Sequence, residues 1–433
     1  MDAFIIEGGR PLRGTVEVRG AKNAALPMMA AALLLDEGKL VLRRVPNLAD
    51  IKSMANVLQE LGVRIDRRGD EMTLQVVSDK NCRASYDLVS KMRASVCVLG
   101  PLVGKRRRAE VSMPGGCSIG DRPIDLHLKA LEKMGASIQV ERGYVEAKAP
   151  AGSKKLRGAE IDFETVTVTG TENVMMAAVL APGTTIIECA ACEPEVQEVA
   201  RLLVKMGAII DGIGSPRLTI TGVKKLHGCT WDIIPDRIEA GTFMAAAALT
   251  GGDVSIERCN PDHLMCVTEC MRQAGAIIET GPDWIRVRGN GMFHPVNVAT
   301  LPYPGFPTDM QAQFMALMTR GEGISIITER IYPERFHHVR EFGRMGANVV
   351  REGPSAIVIG VKELSGAPVM ASDLRAAAGL LVAALAARGE TVLQRIYHLD
   401  RGYDQIEKRL ESLGARIRRS DLKPEAAPLR EAV

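Results

Sequence analysis

One stretch of the chain joins a nucleophile to features that would make it reactive. Pro114-Gly115-Gly116-Cys117-Ser118-Ile119-Gly120-Asp121-Arg122 sets a thiol among three glycines, with Asp-Arg-Pro closing the run. Glycine accepts backbone angles that other residues resist, so such a loop can bend sharply and move. Asp121 is a candidate helix N-cap, with Arg122 beside it and Pro123 in the first turn. A cation and a helix start are the two features that lower a thiol pKa, and a thiol so tuned can donate a proton or attack an electrophile. Read alone, the stretch is equally compatible with a surface loop whose cysteine is incidental.

A second set of chemistry-bearing residues stands where apolar helices are expected to begin: Lys22-Asn23, Arg93, Glu172-Asn173, Glu239, Asp309 and Arg375. If those ends converge, cations and carboxylates meet at one place. Helix N-termini also favour bound anions, and each charge-assisted hydrogen bond to a phosphate or carboxylate contributes roughly 1.5–3 kcal/mol. The bland reading makes them surface charges at helix ends. Arg335 and Asp400-Arg401-Gly402-Tyr403 fall between a β-branched run and the next helix, the slot that Cys117 also occupies.

The elements that must position these residues come from a repeat. The phrases LGVRI, MGASI, MGAII, AGAII, MGANVV and LGARI recur, with glycines at 62, 135, 207, 275, 346 and 414, so the separations are 73, 72, 68, 71 and 68 residues. Spacing this regular marks six copies of one unit of about 70 residues. Each unit reads as an Ala/Met/Leu-rich helix (24–35, 94–103, 174–180, 242–249, 310–318, 374–386), a Gly break and a β-branched run. A second, amphipathic helix follows, then a glycine at its left-handed C′ position, then strands. The unit is β-α-β-α-β-β. The first helices are apolar nearly all round, which places them at the centre with strands outside. The expected fold is α/β: two inside-out α/β barrels of three units each, with a cleft between them. One domain is expected over 22–234 and the other over 235–419. The first strand, before Lys22, could join either; it is assigned with 1–21 to the second, and 420–433 is expected to be a disordered tail.

The repeat also shows where something has been added. The glycine opening the β-branched run precedes the later glycine by 24 residues in three units (38 to 62, 183 to 207, 251 to 275) and by 25 in a fourth (389 to 414). From Gly104 to Gly135 it is 31, and the excess falls at the Cys117 loop. A Gly-rich insertion bearing a thiol, unneeded for the fold, reads as a functional lid.

Composition limits the alternatives. The 433 residues carry a net charge of only +3 with 46% hydrophobic residues, the profile of a globular protein without the basic footprint of a nucleic-acid binder. Arg106-Arg107-Arg108 reads as a solvated bend. The nine cysteines include close pairs, Cys189/Cys192 and Cys266/Cys270, that lack the second half a zinc site needs, and His337-His338 has no third ligand. An odd cysteine count and an N-terminus that reads directly as a strand imply a reducing cytoplasm. No run approaches 18 apolar residues, so no membrane span is expected. The glycines near 8–9 and 20 form neither a dinucleotide fingerprint nor a P-loop.

With these residues in view, the chain resembles the enolpyruvyl transferase family, and within it the UDP-N-acetylglucosamine 1-carboxyvinyltransferases of peptidoglycan synthesis. The resemblance runs from Gly8 to about Ile417 and rests on GAKNAALP (20–27), PGGCSIGDRPIDLH (114–127), IPDRIEAGTF (234–243), FPTDMQAQF (306–314), ERF (334–336), SDLRA (372–376) and IYHLDRGYD (396–404). Ser118 stands where Ala is more usual, and 169–173 departs from the commoner pattern. The resemblance implies transfer of the enolpyruvyl group of phosphoenolpyruvate to the 3′-hydroxyl of UDP-N-acetylglucosamine, with phosphate released and no metal or organic cofactor required. It further implies that Cys117 protonates the methylene carbon and can form a covalent adduct, and that Asp309 takes the hydroxyl proton. Lys22, Asn23, Arg122, Arg335, Asp373, Arg375 and Arg401 would surround phosphoenolpyruvate. Arg93, Arg122, Pro123, Ile124, Asp125, Leu126, Thr165, Val166, Thr167, Val168, Asp309 and Ile331 would bind the nucleotide. The alternatives are 5-enolpyruvylshikimate-3-phosphate synthase, which lacks the PGGC insertion; a six-unit DNA clamp, opposed by the charge; and a non-catalytic sugar-nucleotide-binding paralogue. Nothing in the sequence fixes an oligomeric state.

Overall fold

The computed structural model describes residues 2–90, 92–113, 115, 124–151 and 155–421. Cys117, Arg122, Pro123 and the expected cap Asp121 lie outside the described residues, as do 422–433. The chain is α/β, and its described residues form six four-stranded mixed sheets. In each sheet an edge strand runs parallel to its neighbour and the other two strands are antiparallel, as in the sheet of Glu160–Asp162, Thr184–Glu188, Arg217–Thr221 and Ile209–Asp211. A parallel pair needs a crossover, and the helix Val168–Ala178 supplies it here.

In four sheets the edge strand directly precedes its crossover helix: Arg83–Ala84, Glu160–Asp162, Val298–Ala299 and Pro368–Met370. The other two borrow theirs. Thr230–Asp232 joins the sheet of the first unit beside Leu40–Arg43, and Arg13–Glu17 joins that of the fourth beside Asp253–Glu257. Asp2–Glu7 lies between Glu390–Gln394 and Arg416–Asp421. Both N-terminal strands are therefore built into sheets whose other strands follow residue 250. Ser420 and Asp421, expected to begin the tail, pair with Ala3 and Asp2, because the antiparallel partner strand Asp2–Glu7 extends that far. The buried apolar residues form two cores, one drawn from Ala21 to Ile233 and one from Phe4 to Val18 together with Ile238 to Ile417.

The crossover helices are buried almost completely, as their composition requires: Lys22–Ala31, Val168–Ala178, Arg237–Leu249, Gln311–Met318 and Leu374–Ala386. The last three pack against one another. Strands keep one face buried, as the alternation in Asp253–Glu257 shows. The six phrase glycines end the outer helices with φ of 82, 96, 106, 101, 84 and 96°, the left-handed conformation expected of them.

Three local readings need correction. The second unit has no regular helix over 94–103; a 3-10 segment Arg93–Val98, one α turn and a π segment Leu102–Arg106 take its place. Gly100 and Gly104 press there against Val168–Ala178, and a Cβ on Gly100 would stand 2.1 Å from the Asn173 carbonyl oxygen. The helix of the third unit starts at Val168, so Glu172 and Asn173 are interior and buried, not at the start, whereas Glu239 does lie in the first turn of Arg237–Leu249, where it too is buried. Arg106 is no solvated bend: it donates to the carbonyls of Leu61 (2.7 Å) and Asn81 (2.5 Å), tying two units together. Among the described residues no helix is long and apolar enough to cross a membrane.

The close approach at Gly100 makes a test. Gly100→Ala should lower stability by about 1–3 kcal/mol through overpacking, read as a lower urea midpoint at an unchanged slope.

Candidate active site

Asp309 lies in the 3-10 turn Thr308–Met310 that leads into the crossover helix Gln311–Met318. Arg335 Nη1 donates to its Oδ1 at 2.9 Å and Arg375 Nη2 to its Oδ2 at 2.8 Å. Both guanidinium groups are buried, while the carboxylate keeps 24% of its side chain exposed, so the site opens on the acid. Burial works to raise the Asp309 pKa, but Arg375 and Arg335 together hold it well below the usual carboxylate range.

Each arginine is aimed by its surroundings. Asp373 caps the helix Leu374–Ala386, accepting from the backbone N–H groups of Arg375 and Ala376 at 3.0 Å. Capping fixes the first turn, and with it the direction of Arg375. Arg375 Nη1 also donates to Tyr403 Oη (3.3 Å), which meets Thr242 Oγ1 at 2.8 Å on the neighbouring helix. Burial works to raise the Asp373 pKa, but Arg335, the Ala376 N–H, His338 and Ser372 together hold it below the usual value.

A second group joins residues far apart in sequence. Asp50, buried in the first turn of Ala49–Glu60, accepts from Lys22 Nζ at 3.0 Å and from Arg401 Nε at 2.9 Å. Burial opposes ionisation of Asp50, yet Lys22 and Arg401 leave its pKa below normal. Asp236, the cap of Arg237–Leu249, accepts weakly from the Lys22 backbone N–H (3.4 Å). Asp236 also lies within electrostatic reach of Arg375, so the two groups are neighbours. Asn23 is exposed beside Lys22.

The proposed nucleotide segments also come together. Ile124, Asp125 and Leu126 begin the helix Asp125–Lys133, while Thr165 to Thr167 lead into Val168–Ala178, which Thr167 caps. The two helices pack, and Lys129 Nζ reaches Glu164 at 3.1 Å. His127 lies between them. Its Nδ1 meets Asn173 Nδ2 at 3.1 Å and its Nε2 meets Thr169 Oγ1 at 3.3 Å. If the amide donates to Nδ1, the proton must be on Nε2. Burial, with Arg93 nearby, pushes the His127 pKa down to about 4. Ile331 follows Glu329 on the loop that carries Arg335. The sequence reading missed Asp50, Asp236, Thr308 and Glu329; an acid in the first turn of a helix was the one signal for Asp50. Among the described residues no cluster of three or more His, Cys, Asp or Glu could hold a metal ion.

The profile of EPSP synthase (3-phosphoshikimate 1-carboxyvinyltransferase) matches residues 6–410. The chain belongs to the EPSP synthase family. A UDP-N-acetylglucosamine 1-carboxyvinyltransferase of Koribacter versatilis is 53% identical over 97% of the chain and 96% of its own length. One from Desulfosudis oleivorans is 54% identical over 97% and 99%. Among solved structures, the enolpyruvyl transferase NikO from Streptomyces tendae superposes with a TM-score of 0.87 at 23% identity, over 97% of this chain and 99% of that one. An EPSP synthase of Acinetobacter baumannii gives 0.73 at 19%, over 97% and 100%. The resemblance read from the motifs is matched by these relatives.

His127 yields a pH prediction. Its folded pKa lies below the unfolded value of 6.5, so the unfolded chain takes up the proton first. The contribution is whole above pH 6.5 and is lost as pH falls towards 4, by up to about 3 kcal/mol. His127→Gln should flatten the loss of urea stability between pH 7 and 4.5 relative to wild type.

Proposed function

We propose that this chain transfers the enolpyruvyl group of phosphoenolpyruvate to the 3′-hydroxyl of UDP-N-acetylglucosamine, releasing phosphate. One observation carries the reading: four cations, Lys22, Arg401, Arg335 and Arg375, are gathered around the two carboxylates Asp50 and Asp309. Phosphoenolpyruvate bears a phosphate and a carboxylate, and fixed cations at such a spacing suit it. The names of relatives at more than half identity over nearly full length support the sugar nucleotide as acceptor.

In this reading Lys22, Arg122 and Arg401 hold the phosphate and carboxylate of phosphoenolpyruvate, with Asn23, Arg335, Asp373 and Arg375 around them. Arg93, 122–126, 165–168 and Ile331 take the nucleotide. Asp309 removes the 3′-hydroxyl proton as its oxygen bonds to C2 of phosphoenolpyruvate, and Cys117 delivers a proton to C3. Phosphate then leaves C2 and a methyl proton is lost, restoring the enol ether. Asp309 is a poor base while both arginines hold it; any anion that draws on the same arginines raises its pKa. The finer architecture belongs to the same reading: two inside-out barrels of three units, 22–234 and 1–21 with 235–419, with the site in the cleft between them.

The second enolpyruvyl reading, transfer to shikimate 3-phosphate, is favoured by the family profile. The solved EPSP synthases share only 19–20% identity and support the fold alone. Phosphate release measured with each acceptor decides: release with UDP-N-acetylglucosamine and none with shikimate 3-phosphate is expected, and the reverse sinks the proposal. Asp309→Ala should retain nucleotide binding by calorimetry and lose turnover by about 100-fold or more. The epoxide fosfomycin should add once per chain, and peptide mapping should find it on Cys117.

A further inference from the structure

Glu329 ends the strand Ile324–Thr328 and is wholly buried. Among the described residues no lysine, arginine or histidine pairs with it. Four donors converge on its two oxygens instead. Oε1 accepts from Thr300 Oγ1 (2.6 Å) and from the backbone N–H groups of Ile331 (2.9 Å) and Tyr332 (3.0 Å). Oε2 accepts from Thr308 Oγ1 at 2.9 Å. Thr308 has spent its only proton there, so its lone pair faces outward, and Arg335 Nη1 donates to it at 2.9 Å. The same nitrogen places its other hydrogen on Asp309 Oδ1. Both Nη1 hydrogens are thereby fixed. No acceptor among the described residues hydrogen-bonds Arg335 Nε or Nη2, which leaves that edge of the guanidinium for a ligand.

We infer that Glu329 and Thr308 are positioning residues, a buried relay that pins Arg335 against Asp309 and turns its free edge to the anionic substrate. A buried carboxylate without a counter-cation is costly unless every acceptor site is filled. Here the filling groups come from three segments: the strand end at Thr300, the turn bearing Asp309 and the loop bearing Arg335. The relay therefore fixes the substrate arginine and the carboxylate beside it with one set of hydrogen bonds. It rests on the reading of Arg335 and Asp309 given above.

Thr308→Val tests the relay, since it keeps the shape and β-branching of the side chain while removing both the donor and the acceptor. KM for phosphoenolpyruvate should rise about tenfold or more, with KM for UDP-N-acetylglucosamine within about twofold, because a hydrogen bond to a charged group is lost at Arg335 and none at the nucleotide segments. With Arg335 loosened, the acid limb of the kcat profile should move to higher pH. Thr308→Ser restores the hydroxyl and should recover both. Glu329→Gln presents an amide N–H₂ to a ring of donors and should show the same substrate split, with an added loss of thermal stability. An unchanged KM for phosphoenolpyruvate in Thr308→Val, or both KM values moving together without rescue by serine, overturns the relay. Should the wild-type chain fail to turn over with UDP-N-acetylglucosamine, the relay is still read by calorimetry of inorganic phosphate and phosphoenolpyruvate. Equal affinities for wild type and Thr308→Val would overturn it there.

Discussion

Helices that are apolar on every side set the terms for the whole molecule. A helix such as Leu374–Ala386 or Gln311–Met318 has no face to offer water, so it must be covered all round. Its neighbours of the same kind cover part of it, and the sheets cover the rest with the buried face of each strand. Charge is then left mostly to the helix ends and to the loops between strand and outer helix, and burial pushes the pKa of Glu172, inside Val168–Ala178, well above the usual carboxylate range. Some polar residues that enter the helix bodies are matched, Asn173 with Gly100, Val96 and His127, and Thr242 with Tyr403 and Gln313, while Glu172 Oε1, Gln311 Oε1 and Gln313 Oε1 are buried without a hydrogen-bond partner among the described residues. The candidate site lies where the ends of such helices meet.

At those ends the charges are already paired with one another, cations in excess. Lys22 and Arg401 share Asp50, while Arg335 and Arg375 share Asp309. Removing four cations and two carboxylates from water is costly, and close pairing with fixed hydrogen bonds offsets that cost. The result is a set of cations held in place before any ligand arrives, which is what electrostatic preorganisation requires. An incoming anion competes with Asp50 and Asp309 for partners that need not move far.

The six units account for most of the frame, and the ends of the chain account for the exceptions. Two sheets lack an edge strand of their own and take one from elsewhere in the chain, and the N-terminal strand fills the third place in the last sheet. An open sheet edge in these places would leave backbone groups unpaired. The borrowed strands pair the open sides of Leu40–Arg43 and Asp253–Glu257, and in doing so bring Lys22, just past the second strand, beside Asp236 at the start of the fourth unit.

What the sequence determined by itself was local or periodic. Glycines 62, 135, 207, 275, 346 and 414 were legible because only a left-handed residue ends those helices, and the apolar helices because their composition admits no exposed face. The residue types of the site were legible too, through Asp309, Arg335 and Arg375 in recurring slots. Tertiary structure alone decided the partners. Asp50 and Arg401 are 351 positions apart, and no local pattern joins them. Glu329 looks like any strand-end acid until the fold brings Thr300, Thr308 and the backbone of Ile331 and Tyr332 around it. The broken helix at 93–106 likewise depended on how closely Gly100 and Gly104 are pressed to a helix 70 residues away. Period and propensity act over one or two turns, whereas hydrogen bonds and ion pairs act wherever the packed chain brings donor and acceptor within 3 Å.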